Sequence, residues 1–203
     1  MFLNRKDAGR FLAGRLAAKG YAQPVVLALS RGGAVVGYEI ARALEGPLGL
    51  LAGPGWTVGP ELERELLEPL DPPGGPRTCG HDLARSDVAA LNGSALCTCL
   101  HRSGARSLDL AGSTLILVEE GLEGRRSALA VLPALRRKAP RRIVLATPTL
   151  SFETLRELEP EFDEVFCLTG PADPRAPRDY CDEPEPVTDE AVISLLDRAA
   201  SRS

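Results

Sequence analysis

The sequence is short of several residues, and each shortage narrows what the chain can be. It holds two histidines, one methionine, one tryptophan and three lysines (Lys6, Lys19 and Lys138), and aromatic residues make up 4% of its 203 positions. Five cysteines are too few for a disulfide scaffold, and their odd number argues against complete pairing. No run of about 18 apolar residues occurs, and charges interrupt the first twenty positions, so neither a transmembrane helix nor a signal peptide is expected. The net charge of −4 argues against a globally basic nucleic-acid binder. A phosphate-binding G-x₄-GK[ST] motif is also lacking. Ser30 follows an apolar run, but Ala28-Leu29-Ser30-Arg31-Gly32 lacks the first glycine of a hydrolase nucleophile elbow, and no histidine lies late in the chain.

What is present suits a soluble, cytoplasmic, globular protein with one domain over residues 1–203. Hydrophobic residues make up 44% of the chain, enough for a substantial core. The 20 glycines and 17 prolines are enriched without reaching a low-complexity composition. Residues 4–19 read as an amphipathic helix capped by Asn4 or Asp7, with Ala8, Phe11, Leu12 and Leu16 on one face. Val25 to Leu29 is a continuous apolar run typical of a strand buried on both sides. Ser30-Arg31-Gly32-Gly33 reads as a tight loop, a helix is expected from Ala34 to Leu44, and Leu48 to Leu51 is the second strand. Such a βαβ unit implies parallel strands.

Glycine and proline breaks then fill residues 52–108, which read as an inserted hood or lid. Regular structure resumes with a strand at Thr114 to Val118, a helix at about Arg126 to Lys138 and a strand at Ile143 to Ala146. Pro148 is expected to break the chain before a helix at 152–158, and Glu164 to Leu168 is the last strand. An acidic arm and a terminal helix capped by Thr188 occupy 170–203. Five short apolar strands alternating with helices predict an α/β fold with a doubly wound, mostly parallel five-stranded sheet. Charge is uneven: residues 1–42 hold seven Lys/Arg against two Asp/Glu, whereas 151–190 hold three against thirteen.

Ligands of open α/β sheets bind at the carboxyl ends of the strands, and two loops there are chemically distinctive. Ser30-Arg31-Gly32-Gly33 places an arginine and two glycines at the start of a helix, where backbone amides and the helix dipole suit a phosphate or pyrophosphate. A glycine-rich turn without a ligand satisfies the same pattern. Glu119-Glu120-Gly121 puts adjacent carboxylates at a strand end, suited to binding a metal, accepting hydroxyl hydrogen bonds or pointing apart into water. Gly121 and Gly124 lead into a helix headed by Arg125, Arg126 and Ser127, either a second phosphate cradle or a solvated first turn.

The combination LALSRGGAVVGYEIARAL and, about 90 residues later, LDLAGSTLILVEEGLEGRRSALAVLPALR resembles the type I phosphoribosyltransferases. The likeness continues through IVLATPTLSFETLREL and EFDEVFCLTG to TDEAVISLL, covering most of 1–51 and 108–197. It implies that Arg31, Gly32 and Gly33 form a pyrophosphate loop, with Ser30 where the family commonly has proline. It further implies that Glu119 and Glu120 contact ribose hydroxyls and help hold Mg²⁺, and that Gly121 and Ser127 match the two ends of the loop that grips the 5-phosphate of phosphoribosyl pyrophosphate (PRPP), with Gly124, Arg125 and Arg126 at its centre as further candidate phosphate contacts. Homodimers are common among such proteins.

Two departures bear on catalysis. The family's phosphate loop has a small–Thr–Gly–small run, whereas this chain has Glu123-Gly124-Arg125-Arg126. A hydroxyl donor is lost, a bulky side chain replaces a flexible glycine, and an acid stands beside the expected dianion. Arg125 or Arg126 offers a substitute charge by bidentate contact. The family's hood also carries a lysine near the pyrophosphate, and residues 52–108 contain none, with Arg64 or Arg77 as possible stand-ins. Binding of PRPP or a nucleotide phosphate with phosphoribosyl transfer weakened or lost is therefore the leading expectation. The alternatives are an active Mg²⁺-dependent transferase acting on an unknown acceptor, and a zinc-binding regulatory or interaction protein.

The zinc alternative rests on Cys79, His81, Cys97, Cys99 and His101, which fall in a 23-residue window containing both histidines of the chain. Any four would complete a tetrahedral site, and a structural zinc would stabilise a segment with little core. The same cysteines could instead pack as small hydrophobes or form a reversible disulfide.

Overall fold

A computed structural model describes residues 2–51, 110–121, 124–169 and 186–202, with the backbone alone over 124–127 and at 169. The expected hood and acidic arm lie outside the described residues, except for the terminal helix. Ten elements follow in chain order: α1 (Arg5–Ala17), β1 (Pro24–Ala28), α2 (Arg31–Leu44), β2 (Leu48–Leu50), β3 (Thr114–Val118), α3 (Gly124–Arg136), β4 (Arg142–Thr149), α4 (Phe152–Leu158), β5 (Glu164–Thr169) and α5 (Asp189–Ala200). The five strands form one sheet in the order β2-β1-β3-β4-β5, and every pairing is parallel. The expected doubly wound α/β architecture is present.

The apolar runs form strands because each is covered on both faces. Successive strand residues point to opposite sides, so the two parities enter different cores. Val26, Ile116 and Val144 face one layer, where Leu12 and Leu16 of α1, Ile40 of α2 and Leu196 of α5 pack. Leu27, Leu117 and Leu145 face the other, against Leu132 and Leu135 of α3 and Leu158 of α4. All these residues are nearly inaccessible to water, and burying each such side chain contributes roughly 1.5–3 kcal/mol.

Four side-chain caps fix where helices begin. Asn4, rather than Asp7, caps α1 by accepting from the Asp7 amide at 2.9 Å. Ser30, Ser151 and Thr188 cap α2, α4 and α5 in the same way. Each such cap contributes about 1 kcal/mol. No helix among the described residues is long and apolar enough to cross a membrane.

Three local expectations are corrected. Ser30-Arg31-Gly32-Gly33 is not a loop preceding the helix: Ser30 is the cap, and the next three residues are the first turn of α2. Phe11 does not share the buried face of α1 but is 57% exposed, its ring tilted against Phe2 with centroids 5.9 Å apart. Gly9 and Ala13 complete the buried face in its place. Pro148 does not end β4, which runs on to Thr149 and pairs there with Thr169.

The register determines where a ligand can approach. Ala28 stands beside Val118, and Val118 beside Ala146, so β1, β3 and β4 reach the same level side by side. Beyond it, the Leu29 amide donates to the Val118 carbonyl at 2.9 Å, and the Glu119 amide to the Ala146 carbonyl at 3.2 Å. From β1 the chain winds outward to β2, while β3 lies on β1's other side. The loops leaving β1 and β3 therefore open a crevice at the topological switch point.

Candidate functional site

The β1–α2 and β3–α3 connections meet in that crevice. Ser30 Oγ accepts the Gly33 amide at 3.0 Å and donates to Glu119 Oε2 at 2.7 Å, a contact spanning 89 residues of sequence. The same Glu119 oxygen accepts the Glu120 amide at 3.0 Å. Glu119 is only 6% exposed, and a carboxylate withdrawn from water in this way needs such donors. One hydroxyl thus caps α2 and ties its first turn to the acid pair. Here the proline common in the family could supply no such link, so the departure at Ser30 has a structural consequence.

Both glycines of the first turn are required by close approach. A Cβ on Gly33 would lie 2.7 Å from the Val118 carbonyl oxygen, and one on Gly32 would fall inside the Glu120 carboxylate. Without side chains, the backbone of α2 packs directly against the end of β3 and beneath its second acid. Glu120 therefore stands over the amide-rich start of a 14-residue helix, the end at which the helix dipole favours an anion.

Two ion pairs line the crevice. Arg5, first residue of α1, pairs through Nε with Glu120 Oε2, and their side chains are 23% and 32% exposed. Arg31 pairs through Nε with Asp189 Oδ1 in the first turn of α5, at 2.5 Å. The acid pair is thus divided by environment: Glu119 is buried and accepts from the Ser30 hydroxyl and the Glu120 amide, whereas Glu120 is partly exposed against a cation.

Of the residues singled out from the sequence, the structure brings together Arg31, Gly32, Gly33, Glu119, Glu120 and, directly after the acids, Gly121. Gly124, Arg125, Arg126 and Ser127 form the backbone of the first turn of α3, following the same strand end. Cys79, His81, Cys97, Cys99 and His101 lie outside the described residues. Among the described residues no group of three or more His, Cys, Asp or Glu side chains is arranged to hold a metal. Two participants were missed from the sequence, Arg5 and Asp189. Their partners lie 115 and 158 residues away, and no local pattern distinguishes either from an ordinary first-turn residue.

No protein-family model matches the chain. Two curated Mycobacterium tuberculosis proteins, from strains CDC 1551 / Oshkosh and ATCC 25618 / H37Rv and each named "Putative phosphoribosyl transferase", are 30% identical over 210 residues. The alignments cover 98% of this chain and 47% of each relative, so the chain spans about half their length. The crystal structure of TT1426 from Thermus thermophilus is 30% identical, covers 97% of both chains and has a TM-score of 0.66. Its likeness extends over practically the whole of both chains, and the curated relatives supply the family's name. The chain belongs to the phosphoribosyltransferase family.

Proposed function

We propose that this chain binds a phosphorylated pentose ligand, PRPP or a nucleotide phosphate, at the carboxyl ends of β1 and β3, and that phosphoribosyl transfer there is weakened or lost. The observation that carries the reading is the junction of Ser30 Oγ with Glu119 Oε2 at 2.7 Å. It sets an anion-suited helix start beside two carboxylates able to accept hydrogen bonds from ribose hydroxyls. The M. tuberculosis relatives' name supports a phosphoribosyl ligand.

The donor set fits magnesium, the cation this resemblance implies. Mg²⁺ prefers oxygen ligands and is commonly held by one or two carboxylates together with a substrate's phosphates. Glu120, partly exposed, would hold it first, while Glu119 keeps the two loops joined. When bound, the cation would neutralise charge developing on a pyrophosphate leaving group. The α2 amides and the guanidinium groups would bind and orient the anion.

Weakened transfer is supported by composition. Glu123-Gly124-Arg125-Arg126 replaces the expected threonine and flexible glycine, and residues 52–108 contain no lysine to close on pyrophosphate. Fewer preorganised charges facing the leaving group mean less stabilisation of the transition state.

Thermal denaturation with PRPP and Mg²⁺ tests the binding half. Ligand at about 100 times its Kd stabilises a folded protein by about 2.7 kcal/mol, so the Tm should rise by several degrees. A pyrophosphate-release assay with a mixture of nucleobases tests the other half and should detect little turnover. An unchanged Tm at millimolar PRPP overturns the binding reading, and rapid pyrophosphate release overturns the weakened-transfer reading.

A further inference from the structure

Glu120 faces two competing demands. To hold a ligand-borne divalent cation it must offer its carboxylate oxygens, yet Oε2 is paired with the Arg5 guanidinium. The carboxylate lies so close to Gly32 that a Cβ there would overlap it. Arg5, in contact with that carboxylate, therefore stands at the edge of the amide-lined first turn. The turn's own arginine, Arg31, is engaged by Asp189. Arg5 and Glu120 both retain solvent exposure, so a ligand can reach the pair without opening the core.

We propose that Arg5 is a ligand-exchanged cation: it neutralises Glu120 until a divalent cation carried by a pyrophosphate or phosphate ester takes that carboxylate, and the released guanidinium then binds the ester's oxygens. This rests on the functional reading above and adds a specific residue to it. The exchange preserves charge pairing at each stage. Before binding, the Arg5 guanidinium is paired with the Glu120 carboxylate. Afterwards the metal faces the carboxylate, and the guanidinium faces phosphate oxygens, whose geometry its planar fork matches bidentately. Arg5 in this role supplies a cation near the pyrophosphate in a chain whose residues 52–108 have no lysine. The ligand class follows: an anion that brings its own divalent cation is preferred over the same anion without metal.

Two titrations of the full-length chain test this, each on the wild type, Arg5→Gln and Arg5→Lys. Mn²⁺ alone, followed by the electron-spin signal of the free ion, should bind Arg5→Gln about tenfold more tightly than wild type, because the carboxylate has lost its competitor. Magnesium pyrophosphate, followed by calorimetry, should bind Arg5→Gln about tenfold more weakly, with Arg5→Lys between the two. Opposite shifts in one variant distinguish exchange from damage to the fold, which would weaken both. Unchanged or undetectable Mn²⁺ binding by Arg5→Gln, or unchanged pyrophosphate affinity, overturns the inference while leaving the functional reading in place. If magnesium PRPP fails to bind wild type, that reading falls and the inference with it.

Discussion

The two ends of the sheet handle their acids in opposite ways. At the amino end, Glu164 of β5 is met by Lys19 at 2.8 Å and Arg142 at 2.9 Å. The hydrogen bond from Lys19 is the main cause holding its carboxyl below the usual range; Tyr21 and the charges of Lys19 and Arg142 reinforce it against the opposing effect of burial. Burial beside that carboxylate in turn pushes the Tyr21 hydroxyl up. At the carboxyl end, buried Glu119 accepts from a hydroxyl and an amide, and Glu120 is paired with Arg5. At the amino end two cations meet one carboxylate. The carboxyl end places two carboxylates against the amide-rich start of a helix, an arrangement a cation-bearing anion can complete.

Replacing the acids should expose this difference. Glu119→Ala removes the acceptor shared by Ser30 and the Glu120 amide, and buried donors left unpaired cost about 1–3 kcal/mol each. Urea denaturation should show a loss of about 3 kcal/mol, together with loss of PRPP binding. Gly33→Ala tests the close approach at the same end. Its Cβ would meet the Val118 carbonyl oxygen at 2.7 Å, so about 2 kcal/mol should be lost by the same measurement as α2 shifts from β3.

The smallest effect belongs to the amino end. Exposed ion pairs are worth less than about 1 kcal/mol, so Glu164→Gln should cost no more than that at neutral pH and leave ligand binding unchanged. Its pH dependence has a definite sign. A carboxyl lowered in the fold from its ordinary value of 4.5 binds fewer protons there than in the unfolded chain. Its contribution is therefore present above the unfolded value and lost as pH falls through the folded one. The stability gap between wild type and Glu164→Gln should narrow below about pH 4.5 in urea titrations; a gap that widens contradicts the assignment.

The architecture was legible because it rests on local signals. Five apolar runs bounded by glycine, proline or charge could be buried only as parallel strands covered on both faces, and all five are found. The start of α2 was less legible, since two glycines lower helix propensity and resemble a turn. What decides it is Ser30 accepting the Gly33 amide. Phe11 fits the helical period but packs with Phe2 at the surface, because spacing identifies a face without specifying its width. Arg31, Gly32, Gly33, Glu119 and Glu120 are singled out by two short motifs, and the fold sets those motifs side by side. Arg5 and Asp189 are not singled out, because pairing across 115 and 158 residues is decided by how helices cross the sheet.

Isothermal titration of PRPP with Mg²⁺ into wild type and the Glu119→Ala/Glu120→Ala double variant tests the central claim most directly. The account predicts micromolar binding to wild type and none to the double variant. Absence of heat from wild type at millimolar PRPP, or equal affinity in the two proteins, would contradict it.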